Sequence, residues 1–273
     1  MTQGMKIGII GSGTMAEAII AGLLNKNITT PDRIIASGPR ASRGEELRTK
    51  FGIAATTDNR DAADDADIVC LCVKPQHFPK ILDELESCGK IQPSCVVISI
   101  AAGIRMERIV TKLGHAGVVR AMPNTPGKIN QGISVWTWHA SLSEEQRNMA
   151  ALVLGTLGEE IAVEDERYLD MATALSGTGP AYAFLFMEAL IDAGVHIGFP
   201  RTMAEKLVLQ TLSGSVQYAR STKRHLAILR NEVTSPGGTT AEALCHLEKD
   251  HFRTAISNAV QAAYQRSREL GNG

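Results

Sequence analysis

The chain has 273 residues, 44% hydrophobic and 21% charged, with 28 Lys plus Arg against 29 Asp plus Glu and a formal net charge of -1. That balance excludes a disordered chain and argues against a strongly basic surface for nucleic acid. No apolar run of roughly 18 residues escapes a charge or a glycine, so no membrane span is expected. Residues 1–13 lack the pattern of a secretory signal.

The first expected strand is MKIGII at 5–10, followed by a helix over 15–24. A short strand at 33–37 and a helix at 42–51 come next. DIVCLCV at 67–73, CVVISI at 95–100 and a strand beginning at 117–120 are near-continuous apolar runs. Such strands, separated by helices, predict a parallel sheet covered on both faces. The fold class is therefore α/β, with a doubly wound N-terminal domain over 1–163. Beyond Val163 the strand signals stop. Residues 182–195 are apolar almost all round, with Glu188 and Asp192 on one face. Phe252, Ala255, Ile256, Ala259, Val260 and Ala263 recur at helical spacing. Residues 164–273 thus form an all-α domain, too apolar to stand alone and read as an oligomerisation domain.

Cys70, Cys72, Cys88, Cys95 and Cys245 form no CxxC pair, and Cys70 and Cys72 are expected on opposite faces of a strand. Reduced thiols of a cytoplasmic protein fit this set better than a disulfide framework or a zinc site. The seven histidines form no HxxxH pair, and no metal is expected.

Gly11, Gly13 and Ala16 make G-x-G-x-x-A directly after a strand and at the start of a helix. The first glycine permits a tight turn, the second lets backbone approach a pyrophosphate, and the small third residue lets helix pack on strand. The helix N-terminus adds free N–H groups for phosphates. An NAD site usually places an acid about 20 residues further on. Here Ile35–Arg40 reads IASGPR, with no carboxylate between Arg33 and Gly44. Ser37 and Arg40 or Arg43 suit a 2′-phosphate, so NADPH is favoured, with NADH the alternative. Lys74, beside Pro75, closes the third apolar strand, and Ala101-Ala102-Gly103 closes the next, where ligands of open α/β sheets lie. In the helical half, Ser176–Pro180 (SGTGP) and the loop VTSPGGTT at 233–240 precede helices, and the second offers hydroxyls and N–H groups to a small carboxylate.

Taken together these residues resemble the pyrroline-5-carboxylate reductase family, over essentially the whole chain. The strongest part is NEVTSPGGTTAEAL at 231–244, supported by LSGTGPAYAF at 175–184, VKPQ at 73–76, SIAAG at 99–103 and MPNTP at 122–126. The resemblance implies a Rossmann domain for NAD(P)H, a helical domain that interlocks two subunits, and a homo-oligomer, either a dimer or a decamer of five dimers. It matches Ile10, Gly11, Ser12, Gly13, Thr14 and Met15 to the phosphate loop and Asn59 to the adenosine ribose. Cys72, Val73, Lys74 and Pro75, with Ala101 and Ala102, match the nicotinamide side. Glu166, Gly238, Thr239 and Thr240 match the substrate side, with Thr240 near the imine nitrogen. Lys74, from its place at the end of the strand, is expected as a second catalytic group. Thr178 and Glu232 depart from the family pattern. The implied reaction is hydride transfer to the C=N carbon of 1-pyrroline-5-carboxylate, giving L-proline, with neither metal nor covalent nucleophile. A β-hydroxyacid dehydrogenase, another imine reductase, or a silent NADPH-binding regulator remain the rival readings.

Overall fold

The computed structural model describes residues 4–89 and 91–271. Residues 1–3, part of the stretch read for a signal, and the Cys88 side chain lie outside them. In chain order the first half holds β1 (Ile7–Ile10), α1 (Thr14–Asn25), β2 (Ile34–Ser37), α2 (Ala41–Phe51), β3 (Ala54–Thr56), α3 (Asn59–Ala63), β4 (Ile68–Leu71), α4 (Phe78–Cys88), β5 (Val96–Ser99), α5 (Met106–Leu113) and β6 (Val118–Met122). Then come β7 (Gly132–Trp138), α6 (Glu144–Gly155), β8 (Gly158–Ala162), α7 (Arg167–Ala172), α8 (Gly179–His196), α9 (Arg201–Thr222), α10 (Leu226–Glu232), α11 (Thr239–Lys249) and α12 (Phe252–Gly271). Two compact units result, one running to Thr178 and resuming at Ala263, the other covering Gly179–Ala262.

The sheet order is β3-β2-β1-β4-β5-β6-β7-β8, with β1 to β6 parallel. Side chains alternate across each strand, which sorts the apolar runs into two layers. Ile7, Ile9, Cys70, Ile98 and Val119 face a layer with α1 and α6, and Ile10, Val69, Leu71, Val97 and Val118 face one with α3, α4 and α5. Strands buried on both sides carry no polar alternation, which is why they read as continuous apolar runs.

The structure differs from the expectations in five places. The strand β7 runs antiparallel to β6, because the short link between them leaves no room for a crossover helix. Its partner β8 is a polar edge strand without an apolar signature. Cys70 and Cys72 share one face, as residues two apart on a strand must, and both pack with the α1 layer. Finally, Arg167–His196 forms a helical stretch of 30 residues with mean hydropathy 1.2 in its most apolar part, long and apolar enough to cross a membrane by length and composition. The segment read as a Ser-Gly-Thr-Gly loop is a π turn, Thr173–Gly177, that runs into α8. The hydroxyls of Thr173, Ser176 and Thr178 bond back to the carbonyls of Leu169, Ala172 and Thr173, so residues that usually break helices stay within one.

Candidate functional site

Strand order reverses between β1 and β4, and the loops there meet. Gly11 N–H donates to Ser37 O at 2.9 Å, and Cys72 N–H donates to Ile10 O at 2.7 Å. Gly11 has φ +99°, and a Cβ on it would lie 2.8 Å from Cys72 O. Only glycine fits that approach. Gly13 caps α1 without any side-chain bond, and Gly13 and Thr14 are exposed. The first-turn amides therefore point at open space, with the positive end of the helix dipole behind them. This cradle fits a pyrophosphate.

At the end of β2 the candidates separate. Ser37 is fully buried, and its hydroxyl donates to Asn59 Oδ1 at 2.7 Å. In this structure the Ser37 hydroxyl, read from the sequence as a phosphate contact, is turned to Asn59. Arg43 is a strut. Its Nε donates to Ser12 O at 3.0 Å, and its other nitrogens pair with Glu17 and Glu46. Hydrogen bonds from Lys50 and Arg43 hold the Glu17 carboxyl below its ordinary range. Arg40, flanking α2, is exposed, and its side chain has no partner among the described residues. A Cβ at Gly38 would fall 2.2 Å from Ser12 Oγ, so a larger residue there would make the Ser12 side chain turn away.

A cavity of about 300 Å³ opens between these loops, lined in part by Gly11, Gly38, Asn59, Val73, Lys80 and Glu84. Cys72 and Val73 are half-buried and continue into exposed Lys74, which precedes the single turn Pro75–His77. Ala101 is buried and Ala102 half-buried beyond β5, which leaves a flat, small-residue wall. Burial pushes the Cys70 and Cys95 thiols up to about 12, and the Cys72 thiol also up, which keeps them protonated and inert.

Glu166 is anchored in the same unit. Its Oε1 accepts from Met106 N–H and from Arg120 Nη1, both at 2.8 Å. Arg120 lies within β6, is buried, and has an Nε with no partner among the described residues. Asp170 lies 3.9 Å from Arg120 Nη2 and accepts from Ser267 at 2.8 Å. Arg120 and Glu166 are 46 residues apart, so no local pattern announced the pair. Nor did any announce Glu84 in the cavity wall.

In the helical unit, Gly238 caps α11 without a side-chain bond, with Thr239 and Thr240 in its first turn. Gly238 N–H donates to Ser235 O at 3.1 Å, and Gly237 has φ +68°, which closes the turn. Thr240 is therefore not the cap, and its hydroxyl is left for another role. Glu232, whose role the sequence leaves open, pairs with Arg224 and accepts from Tyr218 Oη at 3.4 Å. Its charge is neutralised locally.

Comparison with known proteins bears on both units. Residues 166–270 match the family model described as pyrroline-5-carboxylate reductase dimerisation, and residues 6–103 match NADP oxidoreductase coenzyme F420-dependent. A pyrroline-5-carboxylate reductase of Synechocystis sp. is 39% identical over 267 residues, 98% of each chain. A solved structure of a pyrroline-5-carboxylate reductase from Coxiella burnetii superposes with TM-score 0.89 at 36% identity, covering 97% of this chain and 98% of that one. Pyrroline carboxylate reductase from Plasmodium falciparum, solved with NADP bound, gives TM-score 0.89 at 30% identity, covering 99% of this chain and 100% of that one.

Proposed function

The chain belongs to the pyrroline-5-carboxylate reductase family, and from that membership we propose which residues carry its reaction. It is an oxidoreductase that reduces the C=N bond of 1-pyrroline-5-carboxylate to L-proline with NADPH, the last step of proline biosynthesis. NADPH supplies the hydride when bound.

We assign the pyrophosphate to the loop Ile10, Gly11, Ser12, Gly13, Thr14 and Met15, on the strength of the open α1 amides. Asn59 takes the adenosine ribose, with Ser37 fixing its amide from behind. Arg40 takes the 2′-phosphate, since Arg43 is committed to Ser12, Glu17 and Glu46. Cys72, Val73, Lys74 and Pro75, with Ala101 and Ala102, flank the nicotinamide. Glu166, held by Arg120, and Gly238, Thr239 and Thr240 hold the substrate. The α11 amides and dipole suit its carboxylate. A hydroxyl is too weak an acid to protonate an imine at neutral pH. Thr240 therefore orients the ring nitrogen and relays a proton from water, and Lys74 contributes positive charge beside the nicotinamide.

The subunit partner is a second copy, in a dimer or a decamer of five dimers. This reading is supported by the dimerisation model over 166–270 and by the exposure of Leu185, Phe184 and Leu190 on α8. The cytoplasm suits its free, buried thiols Cys70 and Cys95. We keep 163/164 as the boundary between the cofactor domain and the oligomerisation domain, close to the start of the dimerisation match at 166.

The observation that carries the cofactor assignment is the glycine loop, folded by Gly11 against the β4 loop with the α1 amides open. The test is direct: purified protein, NADPH and 1-pyrroline-5-carboxylate, following loss of absorbance of the reduced cofactor. Turnover with proline as product supports the reading, and its absence, despite cofactor binding, would favour a silent regulator.

A further inference from the structure

We propose that Glu84 is a specificity-determining residue, setting how strongly the cofactor pocket prefers a 2′-phosphate over a 2′-hydroxyl. The inference rests on the cofactor reading above and refines it. The end of β2 carries no acid to receive ribose hydroxyls. The fold brings one from another element. Glu84, two turns into α4, lines the same cavity as Gly11, Gly38 and Asn59.

Asn59 Nδ2 donates to Glu84 Oε2 at 2.6 Å, while Ser37 donates to Asn59 Oδ1 at 2.7 Å. The relay fixes which end of the amide faces which way. It leaves one Asn59 N–H and further acceptor capacity on Glu84 for a ligand. Adenosine in this fold lies beyond the carboxyl ends of β1, β2 and β4, where this cavity opens. A carboxylate accepts a hydrogen bond from a ribose 2′-hydroxyl and repels a 2′-phosphate. Lys80 opposes it. Its Nζ lies 3.7 Å from Glu84 Oε1, and its side chain is 84% exposed in the cavity wall. Glu84 favours the unphosphorylated cofactor, and Lys80, together with Arg40 beyond Pro39, favours the phosphorylated one. The balance of these charges sets the ratio.

The test is titration calorimetry of the full-length protein with ADP-ribose and with 2′-phospho-ADP-ribose, probes that leave out the nicotinamide and need no turnover. Glu84→Gln keeps an acceptor for Asn59 and loses the charge. It should tighten 2′-phospho-ADP-ribose about 3- to 10-fold and weaken ADP-ribose about 2-fold, a size set by a like charge a few ångströms away in a half-exposed pocket. Lys80→Ala should move the ratio the other way. Melting temperatures report whether each variant folds, and if Glu84→Gln does not, exposed Lys80 still decides the sign. A ratio unchanged in both variants, or both ligands moving by one common factor, overturns the proposal. Wild-type protein that binds neither probe overturns the cofactor reading itself.

Discussion

The sheet unit and the helical unit treat their apolar residues in opposite ways. In β1, β4 and β5 every residue is buried by helices of the same chain. In α8, α10 and α11 none is, and Leu185 stands 67% exposed, Phe184 62% and Leu226 67%. One unit closes its core internally and spends its loops on a cofactor. The other leaves apolar surface that only another protein surface or a lipid can cover. The lesson is that apolarity alone does not locate a core: the same composition makes an interior in one half and an interface in the other.

The largest test of that contrast is on α8. Leu185→Asp places a charge where we expect a second copy, and each buried Leu is worth about 1.5–3 kcal/mol. We expect wild-type protein to scatter light at a multiple of 29.3 kDa and the variant near 29.3 kDa itself, with turnover lost. A wild-type monomer at micromolar concentration would remove the interface. On the sheet side, Gly11→Ala forces a left-handed residue against Cys72 O and should weaken NADPH binding about 100-fold, read by fluorescence titration, while the assembly stays intact.

Smaller effects sharpen the division of labour. Loss of one hydrogen bond to a charged group costs about 1.5–3 kcal/mol, so Thr240→Ala should lower kcat/KM for the imine by roughly 10- to 150-fold. NADPH affinity should hold. The melting temperature should hold too, because Gly238 rather than Thr240 caps α11. Unchanged turnover with a lowered melting point would reject the catalytic role. Arg40→Ala should raise KM for NADPH about 5- to 10-fold and leave NADH nearly unmoved, the size of a charge-assisted contact at an exposed site. Equal shifts would show that Arg40 does not meet the 2′-phosphate.

The smallest effect is electrostatic. The Glu17 carboxyl is held below 4.5 by Lys50 and Arg43. A depressed folded value means that its contribution is present above the unfolded value near 4.5 and fades as pH falls through the lower folded one. Glu17→Gln should therefore lower the melting temperature by about 1–2 °C at pH 7, and the gap to wild type should close at acid pH. A gap constant with pH would mean that the ion pairs do not stabilise the loop.

Much of the cofactor side was legible because it is local. A glycine triad between a strand and a helix carries its own geometry, and DIVCLCV and CVVISI declare buried strands by burial on both faces. The NADPH preference was legible in the missing acid after β2. The loop VTSPGGTT announced a turn and a helix start. Other features were less clear. GISVWTW forms β7, with Ile133 and Val135 half-buried between buried Gly132, Ser134 and Trp136, and its apolar residues alternate as a strand's do. The polar edge β8 offered no such signal.

The sequence by itself determined the apolar strands β1, β2, β4, β5 and β6, the glycine loop and the family, because these depend on residues close together in the chain. Tertiary structure alone decided which of the nearby polar groups remain available. It buried Ser37 behind Asn59, spent Arg43 on Ser12 and Glu17, tied Glu166 to Arg120 and carried Glu84 from α4 into the nucleotide cavity. A hydrogen bond between residues tens of positions apart depends on where the sheet places their backbones, and nothing in either residue's own neighbourhood encodes that distance.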